Sequence, residues 1–171
     1  MVFENKIWFN KLNFTQQSLI KQSFYLLDWV KKHKEKFYDY SFIVMPAAKA
    51  YEGFLKQLFF DLKLISQRQL EGDFFRVGKA LNPELEHIKR LRRQYLYDEI
   101  SQKCGEKTAE LLWQTWKKCR NRLFHYFAKE QQIFTLEESE ERLEQIVKAI
   151  EIAFKKCGIR GLSHSLILDK E

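Results

Sequence analysis

Between residues 47 and 62 the apolar side chains Ala47, Ala50, Tyr51, Phe54, Leu55, Leu58, Phe59 and Leu62 recur at intervals that alternate between three and one. An α-helix places such a series on one side of the chain, whereas a strand would scatter it over both faces. A stripe this wide has to be covered, since apolar surface left in water forgoes about 25 cal/mol per Å². The remaining chain supplies helices rather than sheet to cover it. Only 6 Gly and 2 Pro occur in 171 residues, so turn formers are scarce and hairpins have few places to form. The fold class read from this is all-α, a bundle of four to five principal helices in a single domain over 1–171.

The other elements follow from the same periodicity. Residues 1–14 are aromatic-rich and irregular (Phe3, Trp8, Phe9, Phe14) and read as an N-terminal arm on the body. A first helix is predicted over about 15–36, with Leu19, Leu26, Leu27 and Val30 inside and a basic exit at Lys31, Lys32, Lys34 and Lys36. The striped helix is predicted to start near Pro46, a favourable first-turn residue. Residues 66–82, with Gly72 and Gly78, read as a connection holding a short helical turn. Asn82-Pro83-Glu84 has the form of a cap, a first-turn proline and a dipole-matched acid, and opens a helix over about 83–102. A break at Cys104-Gly105 precedes a helix over about 107–124, and Thr135-Leu136-Glu137-Glu138 is a capping box that starts the last helix, ending near Gly158. Residues 159–171 form a tail, with an extended piece at Leu166–Leu168.

Charge and cysteine usage narrow the surroundings. The formal net charge is +7 and the pI about 9.2, which favours an anionic partner such as nucleic acid. The three cysteines (Cys104, Cys119, Cys157) form no CxxC pair and read as reduced thiols in a cytoplasmic protein. The start of the chain does not resemble a signal peptide, and no apolar run is long enough to suggest a membrane span.

Chemistry concentrates at Arg120-Asn121-Arg122-Leu123-Phe124-His125. A permanent cation, a carboxamide and an imidazole together can hold a phosphate, orient it and move a proton near neutral pH. On an ideal α-helix, five residues turn by roughly 140° and rise about 7.5 Å, so Arg120 and His125 share a side only if the helix ends between them or the arginine reaches across. Asn121 and His125, four apart, share a face. Glu52, beside the apolar stripe, is placed to hold Arg120 by an ion pair or else to sit exposed on its flank. Lys117, Lys118 and Arg122, with Arg90 and Arg93 on the preceding helix, make either a solvated helix surface or a strip for an RNA backbone. Tyr95, Tyr97, Trp113 and Tyr126 offer bases a stacking surface, although aromatics at this spacing more often fill a core. The four histidines (His33, His87, His125, His164) lack zinc spacing, and no metal or cofactor is expected.

The helical context with Arg120, Asn121 and His125 before a final helix resembles the HEPN superfamily, small helical bundles with an Arg-x(4–6)-His signature. The likeness extends over roughly residues 15–157. The stretch from Met45 through Tyr51, Glu52 and Phe54 to Phe59 is further similar to the HEPN region of RNase LS-type bacterial toxins. Phe127 stands where HEPN toxins paired with nucleotidyltransferase antitoxins often carry Tyr, and the tyrosine here is Tyr126. The resemblance implies a metal-independent endoribonuclease toxin of a prokaryotic toxin–antitoxin or antiphage system. It also implies a homodimer whose two motifs meet across a cleft, with a protein antitoxin as partner. Arg120, Asn121 and His125 would be catalytic; Lys117, Lys118, Arg122, Tyr126, Arg90 and Arg93 would bind RNA. The alternatives are a catalytically silent HEPN domain for dimerisation, antitoxin docking or RNA binding, and a helical RNA-binding protein with no toxin role.

Overall fold

The computed structural model describes residues 3–34, 36–84, 95–121, 123 and 133–158. Among these residues there are eight α-helices and no strand. In chain order they are α1 (Ile7–Asn10), α2 (Phe14–His33), α3 (Ser41–Asp61), α4 (Gln67–Glu71), α5 (Val77–Leu81), α6 (Tyr97–Cys104), α7 (Glu106–Trp116) and α8 (Leu136–Lys156). A π-helical turn, Lys117–Asn121, continues α7.

The striped helix is α3, and it lies at the centre, packed against α2, α7 and α8. Tyr51, Phe54, Leu55, Leu58 and Phe59 are fully buried on it. It begins earlier than Pro46, at Ser41, because Ile43 and Val44 extend the buried surface by more than a turn. Asp39 secures that earlier start: its carboxylate accepts from Ser41 N–H at 2.9 Å and from the Ser41 hydroxyl at 2.7 Å. Pro46 therefore sits inside the helix, where its ring disturbs the hydrogen-bond ladder. Ser23 of α2 supplies an acceptor at this point, taking the Ala47 N–H on its hydroxyl at 2.9 Å.

Local signals set most other boundaries. Asn13 and Gln16 form a reciprocal capping box at the start of α2, and Thr135 and Glu138 form the expected one at α8. Gly158, at φ +66°, ends α8 in the left-handed region as its position predicts. The N-terminal arm packs as expected through Phe3, Trp8 and Phe9, with the Phe3 ring 4.7 Å from that of Phe24 on α2. Phe14, assigned to that arm by the sequence, instead opens α2 and is exposed.

Two predicted helices differ. The Asn82 side chain accepts from Glu84 N–H at 2.9 Å as a cap should, and residues 85–94 lie outside the described residues. Tyr95 and Leu96 are not helical, so no single helix reaches 102; Leu96 N–H donates to the Ala80 carbonyl at 2.8 Å, and a fresh helix starts at Tyr97. The helix read as 107–124 is α-helical only to Trp116 before the π turn takes over. At the connection between 66 and 82, α5 packs so closely on α7 that a Cβ at Gly78 would lie 2.0 Å from the Trp116 ring. The tail and its Leu166–Leu168 piece lie outside the described residues.

The reading of three reduced thiols is overturned. Cys104, at the end of α6, and Cys157, at the end of α8, are joined in a disulfide with their Cα atoms 4.4 Å apart. Their sequence separation of 53 concealed the pairing, because only the packed ends of two helices bring them together. The thiol argument for a reducing compartment falls with it. Cys119 remains free and buried.

At the centre of the bundle the Tyr51 hydroxyl on α3 donates to the Leu112 carbonyl on α7 at 3.0 Å, tying the two helices together. Burial drives the Tyr51 pKa far above its ordinary value, so the hydroxyl stays a donor. Tyr51→Phe should cost about 1 kcal/mol and lower the melting temperature by about 2–4 °C. Thermal unfolding followed by circular dichroism checks this, and an unchanged midpoint would show that the tie contributes nothing.

Candidate functional site

The π turn sets the position of Arg120. Its hydrogen bonds run from residue i to i+5, which widens the helix by about one residue per turn. Cys119 then faces inward, fully buried, with its Sγ 3.8 Å from the Arg142 carbonyl of α8. Arg120, the next residue, is turned out toward α3. Its Nε donates to Glu52 Oε2 at 2.7 Å, and its guanidinium carbon lies 5.8 Å from the centre of the Trp116 ring. Both side chains of the pair keep about a quarter of their surface in water, 26% for Arg120 and 29% for Glu52. The pair is therefore a positioning contact more than a source of stability.

Arg120 and Glu52 line an open groove of about 510 Å³ between α2, α3 and the π turn. Its other walls are Leu19 and Gln22 from α2, and Met45, Pro46 and Lys49 from α3. The groove thus sets two cations and an acid beside aliphatic side chains and one carboxamide. Sequence reasoning named Glu52 and Arg120 but missed Lys49, Gln22 and Met45. Lys49 was legible, being three residues before Glu52 and so one turn away on the same side of α3. Gln22 was not, since nothing in α2 says which of its polar side chains meets α3.

Asn121 ends the π turn and is half-buried. Lys117 turns away from the groove: its ammonium lies 3.8 Å from Glu84 and 5.8 Å from the Trp113 ring centre. Lys118 is exposed on the same turn. His125, Arg122, Tyr126, Arg90 and Arg93 lie outside the described residues. Of the aromatics offered for stacking, Trp113 and Tyr95 are buried in the packing and cannot receive a base there. Tyr97 donates its hydroxyl to Glu110 at 3.0 Å, and partial burial and that carboxylate push its pKa up to about 12.

Cys119 is no nucleophile. Burial pushes its thiol up to about 12, outweighing the cations Arg142 and Lys118 that favour the thiolate. Among the described residues no group of three His, Cys, Asp or Glu side chains is placed to hold a metal ion, and no helix is long and apolar enough to cross a membrane.

Asp39 fixes where the chain returns after the Arg120 segment. Its carboxylate accepts from Phe134 N–H at 3.1 Å, and Tyr40 N–H donates to the Phe134 carbonyl at 3.0 Å. Burial opposes ionisation of Asp39, but hydrogen bonds from Ser41 and Phe134 outweigh it and hold the carboxyl below its usual range. The entry to α8 is thereby clamped beside the start of α3.

No protein-family model, no curated protein and no solved structure matches the chain.

Proposed function

We propose that this chain is a metal-independent endoribonuclease of the HEPN type, acting as the toxin of a prokaryotic toxin–antitoxin or antiphage system. The observation that carries the reading is Arg120, seated by the π turn at the wall of an open groove and held there through its Nε by Glu52. A guanidinium anchored in this way is a preorganised anion holder, which a scissile phosphate needs and a purely structural salt bridge does not.

In this mechanism the ribose 2′-oxygen attacks the adjacent phosphorus while the bond to the 5′-oxygen breaks. The products are a 2′,3′-cyclic phosphate and a 5′-hydroxyl. The proton leaving the 2′-hydroxyl and the proton reaching the 5′-oxygen pass through an imidazole, the role assigned to His125. Arg120 offsets the charge that builds on the phosphorane oxygens. Asn121 orients the phosphate or the histidine, and Glu52 positions Arg120. Lys118, Arg122, Tyr126, Arg90 and Arg93 contribute to RNA capture, with Lys117 secondary because of its contact with Glu84. The active form is a homodimer that brings two motifs to one cleft, working in the cytoplasm and silenced by a protein antitoxin.

Purified protein incubated with RNA in excess EDTA should cleave it, leaving 2′,3′-cyclic phosphate ends. RNA with a 2′-O-methyl group at the scissile position should survive, as should single-stranded DNA, because both lack the attacking hydroxyl. Activity lost in EDTA and restored by magnesium would defeat the mechanism. A catalytically silent binding domain would give no cleavage under any of these conditions.

A further inference from the structure

α2 carries a second feature that the groove does not explain. Tyr25 is 63% exposed on it, and Trp29, one turn later, is 37% exposed. The other three tryptophans are at most 8% exposed, so Trp29 is the one set at the surface. Its ring is stacked on His33, with centroids 4.4 Å apart and planes 24° from parallel. The His33 ring is itself fixed, since Nδ1–H donates to the Trp29 carbonyl at 2.8 Å. The result is an open aromatic platform. Lys32 lies on the same side of the helix, and Lys34 follows at its C-cap; both are exposed.

We propose that this side of α2 is a stacking track for single-stranded RNA leading away from the groove. Continuity with the groove comes from helix geometry. Gln22 lines the groove, and Trp29 is seven residues further along, which turns the helix by only about 20° and advances about 10.5 Å. Tyr25 lies between them, about 40° from Trp29. A strand leaving the groove past Gln22 therefore meets Tyr25, then the Trp29–His33 stack, then the lysines.

The chemistry selects nucleic acid over protein. Protein-binding cores are depleted of charge, whereas this platform is bordered by ammonium groups on a chain of net charge +7. Aromatic rings flanked by cations suit unpaired bases joined by phosphates. Duplex RNA has its bases stacked internally and has nothing to offer the rings.

The inference rests on the RNA reading of the groove, and the test separates the two. The probe is a 2′-O-methyl oligouridylate, which binds without being cut, titrated into the full chain while tryptophan fluorescence is followed. A saturable quench is expected. It should vanish in Trp29→Leu and Trp29→Phe, where binding is read by anisotropy of a labelled oligonucleotide, and persist at higher oligonucleotide concentration in Tyr25→Ala. Tyr25→Ala and Trp29→Leu should each weaken binding about tenfold, with Trp29→Phe near the parent. Lys32→Ala with Lys34→Ala should lower the salt dependence by about 0.7 per lysine in the log–log slope. A blunt duplex should not quench. Absence of binding or of a quench in the parent, or affinities within twofold of the parent in Tyr25→Ala and Trp29→Leu, would each overturn the track. Cleavage of unmodified RNA by the same preparations reports on the nuclease separately: a quench without cleavage defeats only the nuclease, and cleavage without a quench defeats only the track.

Discussion

Arg120→Ala should lower RNA cleavage by about 10² to 10³-fold while leaving the helical circular dichroism in place. The magnitude is that of removing one preorganised partner of the transition-state charge. Retention of fold is expected because the Arg120–Glu52 pair is partly solvated at the groove wall, and such pairs contribute little to stability. Arg120→Lys should recover only part of the loss, since an ammonium lacks the planar fork that meets two phosphate oxygens. Glu52→Gln should fall between, because it weakens the anchor and leaves the guanidinium present. His125→Ala should lose cleavage by about 10² to 10⁴-fold, the range for a general acid or base. It should also abolish growth arrest when the chain is expressed in a bacterium. If His125 is instead a packing residue, the same change lowers the melting temperature and leaves activity per folded molecule unaltered. That outcome, or an Arg120→Ala variant within a fewfold of the parent, would sink the proposed mechanism.

The disulfide should produce the largest change in stability. Closing a loop with a sequence separation of 53 removes chain entropy from the unfolded state amounting to about 4 kcal/mol in the chain-entropy account. Cys104→Ser, or reduction of the parent with a phosphine, should therefore lower the melting temperature by about 8–16 °C. Cys119→Ser should not mimic this through loss of a cross-link, because Cys119 is free. Differential calorimetry on the oxidised, reduced and substituted proteins makes the comparison. Identical midpoints for the oxidised and reduced forms would show that the covalent link adds nothing to helix ends already packed together. The result also bears on where the protein works: the proposed toxin acts on RNA in a cytoplasm that reduces disulfides, so its reduced form must remain folded there.

Features governed by local physics were readable from the chain. The stripe of α3, the capping box at Thr135 and Glu138, the break at Gly105 and the stop at Gly158 each depend on residues within a few positions of one another. A helix needs no distant partner to declare its apolar side or its cap. For Glu52 the sequence left two places, paired with Arg120 or exposed on the flank of the stripe, because an acid there needs either a partner or water; the folded chain has the pair.

Tertiary packing decided the rest. Pro46 is a sound helix opener by itself, yet α3 runs through it because burying Ile43 and Val44 outweighs a lost ladder bond and Ser23 of α2 receives the Ala47 N–H. The π turn sets the angular position of Arg120 by holding Cys119 in the core beside α8, which no local propensity encodes. Cys104 and Cys157 are unrelated by spacing and meet only where two helices end together. Trp113 and Trp29 look alike as letters on helices; one is buried against Trp116 and the other stands open on α2, and only the placement of neighbouring helices separates them. Sequence by itself determined where most of the helices lie and which residues bear charged or titratable groups, because those follow from short-range periodicity and residue type. The assembled bundle determined which of those residues share a groove, because proximity across the fold depends on how buried faces choose their partners.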